Sequence, residues 1–275
     1  MLLSLTDAAV LIAAKILTTF LTVVMLASVA RRLGAAWAGV LAGFPLGSAI
    51  TLYFIGYEQG AEFAAIGAVH TLIGLIGCLV MASTYFLLSQ RFPQPRQILL
   101  PALGAPLAFL GCAALLQYWQ GSLLLNLLVI VAAILLVRQT LRRVADHPVR
   151  PNPDNLWQRP LPAILFRATA ATLSVLGITA LAHWLTPAQA GLLSAFPVSF
   201  YPTLIVLQLS YGAPVVATTV RQYPEGLGAM VVYVIAVTWS YPALGVNTGT
   251  AVALAAAIVY LALYSALRRT GKAAT

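Results

Sequence analysis

"AGVLAGFP", residues 38–45, returns as "AGLLSAFP" at residues 190–197, and each copy carries a proline inside an apolar run. When residues 38–52 are set on 190–204 at a fixed offset of 152, seven of the fifteen positions are identical: Ala38/Ala190, Gly39/Gly191, Leu41/Leu193, Phe44/Phe196, Pro45/Pro197, Thr51/Thr203 and Leu52/Leu204. The register continues through Gly60/Gly212, Ala61/Ala213, Gly74/Gly226 and Leu75/Leu227. That is more identity than shared apolar composition supplies, and it reads as an internal duplication.

The duplicated material is written for lipid. Of 275 residues, 61% are hydrophobic and 8% charged, where a soluble domain carries about a quarter charged residues; mean hydropathy is +0.94. Apolar runs alternate with short polar breaks and approach the ~20 residues needed to cross ~30 Å of hydrocarbon. The first run, from Ala8 to about residue 30, is too long for a signal-peptide core and lacks a basic region before it, so it is expected to stay as a span. Cys78 and Cys112 fall inside predicted spans, where small-residue packing is their ordinary use. The net charge of +9 comes from basic residues in short loops rather than a continuous stripe, so no nucleic-acid partner is expected.

Breaks at "RRLGAAW", "GYEQG", "QRFPQPRQ", "YWQG", "RQTLRRVADHPVRPNPDNLWQRP", "LTPAQ", "LSYGAP" and "ALGVNTG" divide the chain into nine segments, near 8–30, 36–56, 63–89, 98–118, 121–143, 161–184, 187–209, 217–243 and 248–268. Backbone groups cannot stay unpaired in lipid, and no period-2 alternation is present, so an all-α polytopic membrane protein of about nine transmembrane helices is expected. A nine-helix chain gathers thirteen of the fifteen Lys and Arg residues, from Arg31 to Lys272, on one face. By the positive-inside rule that face is cytoplasmic, with the N-terminus outside and the C-terminus inside. Five spans separate the starts of the two copies, so they cross the membrane in opposite directions. The expected organisation is a 4+1+4 inverted repeat: residues 1–120, a linker helix and cytoplasmic loop at 121–160, and residues 161–275. Inverted repeats are a common construction for secondary transporters.

Pro45 and Pro197 sit near the middle of their segments, where proline removes a backbone hydrogen bond and breaks a helix. Just beyond lie the hydroxyls of Ser48, Thr51, Ser199, Tyr201 and Thr203. A half-helix N-terminus there offers N–H groups to an anion; the plainer alternative is a kink satisfied by neighbouring helices. The two basic residues outside the cytoplasmic set, Lys15 and Arg167, are themselves 152 apart, since 167 − 15 = 152. Each lies about 10–12 Å into its span, where a charge is expensive and either lines a cavity or snorkels to the interface. The candidate substrate-binding set is Lys15, Arg167, Phe44, Pro45, Ser48, Thr51, Phe196, Pro197, Ser199, Tyr201 and Thr203. The two cations and two half-helix N-termini are expected around one central cavity. Neutralising either cation is expected to weaken binding and leave insertion intact. His70, Glu62, Arg221 and Glu225 are candidates for coupling or gating; for each, packing or an interfacial position is the simpler role.

Each half, with its "AG" and "FP" elements, its following glycine break and a basic residue 23 positions earlier, resembles the small bacterial inner-membrane proteins of the GlpM family. The matching positions are Lys15, Phe44 and Pro45 in the first half and Arg167, Phe196 and Pro197 in the second. The resemblance covers residues 10–90 and 162–243 and reaches least over the last helix of each half. It implies a bacterial inner-membrane protein, a fused form of two oppositely oriented single repeats. A broader likeness to the drug/metabolite transporter superfamily is architectural only.

The expected function is a secondary transporter moving an anionic or zwitterionic small molecule by alternating access. A flippase for a lipid-linked phosphate needs the same cations. An intramembrane enzyme or a structural membrane subunit fits less well: the chain has no HExxH, GxSxG, Walker or Cys/His metal motif. No cofactor and no metal is expected, and the partners are the small-molecule substrate and membrane lipid.

Overall fold

The computed structural model describes residues 5–33, 44–94, 97–145 and 155–273. Its elements are α1 (Leu5–Leu33), α2 (Leu46–Gln59), α3 (Ala61–Arg91), α4 (Leu99–Leu116), α5 (Leu123–Leu141), a 3₁₀ turn (Leu156–Gln158), α6 (Pro160–Ala182), α7 (Pro187–Ser194), α8 (Phe200–Tyr211) and α9 (Ala213–Ala273). No strand occurs among the described residues. The all-α expectation holds. Residues 38–43 of the first motif, and the start of the 36–56 segment, lie outside the described residues.

Among the described residues six stretches are long and apolar enough to cross a membrane: Asp7–Ser28, Ala61–Arg91, Leu99–Leu116, Leu123–Leu141, Pro160–Ala182 and Ala213–Leu267. The chain is a multi-pass membrane protein by this measure. At 14, 8 and 12 residues, α2, α7 and α8 are each too short to cross alone. The run expected at 187–209 is broken between Ser194 and Phe200, around Pro197. α9 turns back on itself at Gly245, whose φ of 74° is open mainly to glycine. Across that turn Ser240 Oγ donates to Gly249 O, the Tyr241 and Thr250 hydroxyls pair, and Tyr264 reaches Glu225, so the two limbs run antiparallel.

α3 is the centre of the bundle, packed by α2, α4, α5, α7 and α9. Small residues on it permit close approach: a Cβ on Gly191 of α7 would stand 2.0 Å from Gly67 O. α4 and α5 lie at the outside, burying Ala105, Phe109, Ala113, Asn126 and Ile130 and exposing Leu103, Leu107, Leu128 and Leu135. A second cluster joins Val23 of α1 and Phe54 of α2 to Ala168, Ala171 and Val175 of α6.

The backbone repeats itself at the offset read from the sequence. Leu46 N bonds Phe44 O and Ala49 N bonds Pro45 O; 152 residues later Val198 N bonds Phe196 O and Tyr201 N bonds Pro197 O. Gly60 and Gly212, also 152 apart, both have positive φ (100° and 81°) and cap α2 and α8 through N–H bonds to Gly56 O and Gln208 O. α1 and α6, which hold equivalent residues, run antiparallel: Val23 packs on Ala168 and Val175, while the earlier Lys15 and the later His183 meet at Glu58. Gly47 at the start of α2 abuts Val198 at the start of α8. Gln90 at the end of α3 bonds Ala213 O at the start of α9. Tertiary contacts also recur with the copies exchanged: Gly56 faces Tyr241 and Val246, while Gln208, its equivalent, donates to Phe92 O.

Gly191→Ala should lower the unfolding temperature in detergent, because its methyl meets backbone that cannot yield; overpacking of this kind costs about 1–3 kcal/mol or more. Gly111→Ala, at a position with nothing within 4 Å, should leave it unchanged. Equal effects would refute the close α3–α7 approach.

Candidate functional site

The last four carbonyls of a helix have no partner within it, and α7 ends in the core. Side chains from α2 and α3 meet them. Ser48 Oγ donates to Ser194 O at 2.7 Å, and Thr51 Oγ1 lies 3.4 Å from the same oxygen. Thr71 Oγ1 is 2.9 Å from Gly191 O and 2.7 Å from Ser194 Oγ, and Cys78 Sγ donates to Ala195 O at 2.9 Å. Pro45, Pro197 and Ser199 are all buried here. Thr203 donates to Ser199 O at 2.6 Å, and Tyr201 donates to Ala102 O of α4 at 2.5 Å. Phe196 stands edge-on between Phe109 and Tyr201, and Phe44 lines an apolar cleft with Met25, Leu26 and Leu254. Ser48, Thr51, Tyr201 and Thr203 are therefore engaged with backbone carbonyls in this conformation, as in the plainer alternative for the proline breaks.

The charged centre lies elsewhere. Lys15 Nζ sits 2.6 Å from Glu58 Oε1, and both side chains are only 7% exposed. The ammonium also stands 5.7 Å from the centre of the Phe54 ring, a cation–π distance. His183 Nε2, just past the end of α6, lies 3.6 Å from the other carboxylate oxygen, Glu58 Oε2, and is 49% exposed. Lys15 is thus a buried, paired cation. α2 continues through Gln59 instead of ending in the "GYEQG" break, and this carries Glu58 inward beside α1.

Nor do the two cations meet. The Lys15–Glu58–His183 group lies at the end of α6, and Arg167 is sixteen residues earlier on the same helix, about 24 Å at 1.5 Å per residue. Val23, further along α1, clusters with Ala168 and Val175, earlier along α6, so α1 and α6 are antiparallel. Glu58 is likewise thirteen residues, about 20 Å, beyond Pro45. The single central cavity expected around Lys15, Arg167 and both breaks is not what these helices form. The antiparallel run of α1 and α6 holds the two cations near opposite ends.

At the other end, Ser210, which corresponds to Glu58 by the offset, is held by the linker. Its Oγ donates to Trp157 O, and its carbonyl accepts from Asn155 and Gln158. Arg167, half-buried, follows Phe166, which meets the Trp157 ring edge-on.

The coupling candidates are scattered. His70 Nδ1 contacts Ile66 O one turn back, and Glu62 is exposed in the first turn of α3, where a helix favours negative charge. Arg221 donates to Val144 O, tying α9 to the chain after α5. Glu225 accepts from Tyr264 and lies 3.9 Å from Arg138, in a cleft between α5 and the limbs of α9.

No family model, curated protein or solved structure matches the chain. The site stands on its geometry alone. The candidate set read from the sequence leaves out Glu58, one of the few acids near the membrane, as well as His183 and Thr71. The available sign for the first two was side: in a nine-helix chain the 56–63 break and the end of the sixth segment face the same way as the start of the first.

Removing one partner of a buried ion pair leaves an uncompensated charge and costs about 3–5 kcal/mol. Lys15→Met and Glu58→Gln should each destabilise the protein in detergent, and Lys15→Met/Glu58→Gln should recover most of the loss. Strict additivity of the two single losses would refute the pair.

Proposed function

We propose that the chain is a secondary transporter built from two inverted repeats, moving an anionic or zwitterionic small molecule across a bacterial inner membrane. The observation that carries the proposal is the junction where α2 and α8 begin: two helix starts with the same backbone bonds 152 residues apart, abutting at Gly47 and Val198. Discontinuous helices meeting at a repeat interface are the usual core of alternating-access transporters. In this reading α7 and α8 make one broken crossing, and the two limbs of α9 make two. With the crossing that ends in α2, the count is nine, in the 4+1+4 order. Charge recognition falls to the Lys15–Glu58 pair at one end and Arg167 at the other, each reached as the halves rock.

A second reading, flipping of a lipid-linked phosphate, is favoured by the cleft of ≈ 270 Å³ between α5 and α9 lined by Arg138, Glu225, Tyr260 and Tyr264. Its Arg138 beside a largely apolar wall suits a phosphate headgroup with an acyl tail.

Purified protein in liposomes separates the two. Uptake of radiolabelled amino acids or small carboxylates, reduced at least about tenfold by Lys15→Met or Arg167→Met, supports the transporter; the factor is that of one charge-assisted hydrogen bond. Translocation of a labelled lipid phosphate with no solute uptake selects the flippase. A C-terminal reporter that fluoresces only outside the cytoplasm should stay dark, and a bright signal would remove the odd span count and with it the inversion.

A further inference from the structure

The Lys15–Glu58–His183 group is built asymmetrically. One carboxylate oxygen of Glu58 is held by the Lys15 ammonium at 2.6 Å. The other, Oε2, is buried and accepts no hydrogen bond among the described residues. His183 Nε2 stands 3.6 Å from Oε2, beyond hydrogen-bond length, with its ring half in the open. Among the described residues the charged groups within ion-pair distance of Glu58 are Lys15 from α1 and His183 from the end of α6. On α2 itself Tyr57 is exposed and Tyr53 donates to Asn247, and Gln59 is engaged with Ala182 O.

A buried carboxylate with one lone-pair face empty and a titratable ring between it and water is arranged to receive a proton. Resting on the transporter reading above, we infer that Glu58 is the proton-coupling site, and that a proton and an anion replace the Lys15–Glu58 pair together. His183, protonated from the aqueous side, passes its proton to Glu58 Oε2 and returns to the neutral ring. The carboxyl, now uncharged, lets go of Lys15, and the ammonium takes the anionic group of the substrate. Charge balances at each end of the exchange: a pair of +1 and −1 becomes a neutral acid with Lys15⁺ and a monoanion. Transport is then electroneutral, with one proton per monoanion. The energetic reason is that a lone buried Lys15⁺ is costly, so proton binding alone and anion binding alone are both disfavoured and the two occur together.

The test reads the proton directly. Infrared difference spectra of the protein in lipid, between pH 8 and pH 5, should show a protonated-carboxyl stretching band that is lost in Glu58→Gln. Inorganic phosphate, used as the anion probe, should raise the pH at which the band is half developed by about one pH unit, equivalent to tenfold tighter anion binding by the protonated form. His183→Gln should leave the band but slow its appearance after a pH jump. If Glu58→Gln does not fold because Lys15 is stranded, Lys15→Met/Glu58→Gln removes both charges and must still lose the band. A wild-type protein with no such band, or one whose band survives in both Glu58 variants, overturns the proton site. A Glu58 band that no anion shifts keeps the proton site and overturns the anion substrate instead.

Discussion

A helix that ends inside an apolar core has to place its last carbonyls, and the packing of this protein follows from where those of α7 go. Gly191, Ser194 and Ala195 present their oxygens to Thr71, Ser48, Thr51 and Cys78, on two other helices. In lipid an unpaired carbonyl costs several kcal/mol, so the four side chains must lie within reach. That requirement fixes α2 and α3 against α7. It is met at backbone contact only because Gly67 and Gly191 carry no side chains. α3 then becomes the post around which α4, α5 and α9 are hung.

The antiparallel packing of α1 and α6 sets the electrostatics. Two equivalent cations on antiparallel helices sit near opposite ends, and their surroundings have diverged. Lys15 has a carboxylate and a histidine beside it, whereas the position equivalent to Glu58 is Ser210, whose polar atoms are taken up by Trp157, Asn155 and Gln158 of the linker. The two halves share a backbone plan and differ in chemistry. The chain thus buries an ion pair at one end of α6 and a half-buried guanidinium near the other.

The offset of 152 carried most of what was legible beforehand. It located the broken run around Pro197, the paired glycine caps at Gly60 and Gly212, and the equivalence of Lys15 with Arg167, because a duplication keeps backbone-determining residues in register. The site was less legible. Ser48, Thr51 and Thr203 were identified from position, but whether a hydroxyl faces a ligand or a carbonyl depends on a neighbour elsewhere in the chain. For Ser48 that neighbour is 146 residues away. Glu58 was hidden by the glycine-flanked break, which looked like a loop and proved to be the last turn of α2.

Composition and periodicity by themselves determined that the chain is helical and apolar enough to live in lipid, since backbone satisfaction in hydrocarbon leaves few other choices. The positions of proline and glycine determined where helices stop, because those residues alter the local backbone with little regard to context. Only the tertiary structure decided which charges meet. Lys15 and Glu58 are 43 residues apart, and His183 is 125 beyond Glu58. No local rule joins them; they meet because α1, α2 and the end of α6 converge at one edge of the bundle. Burial at that edge makes an isolated charge too costly to leave alone.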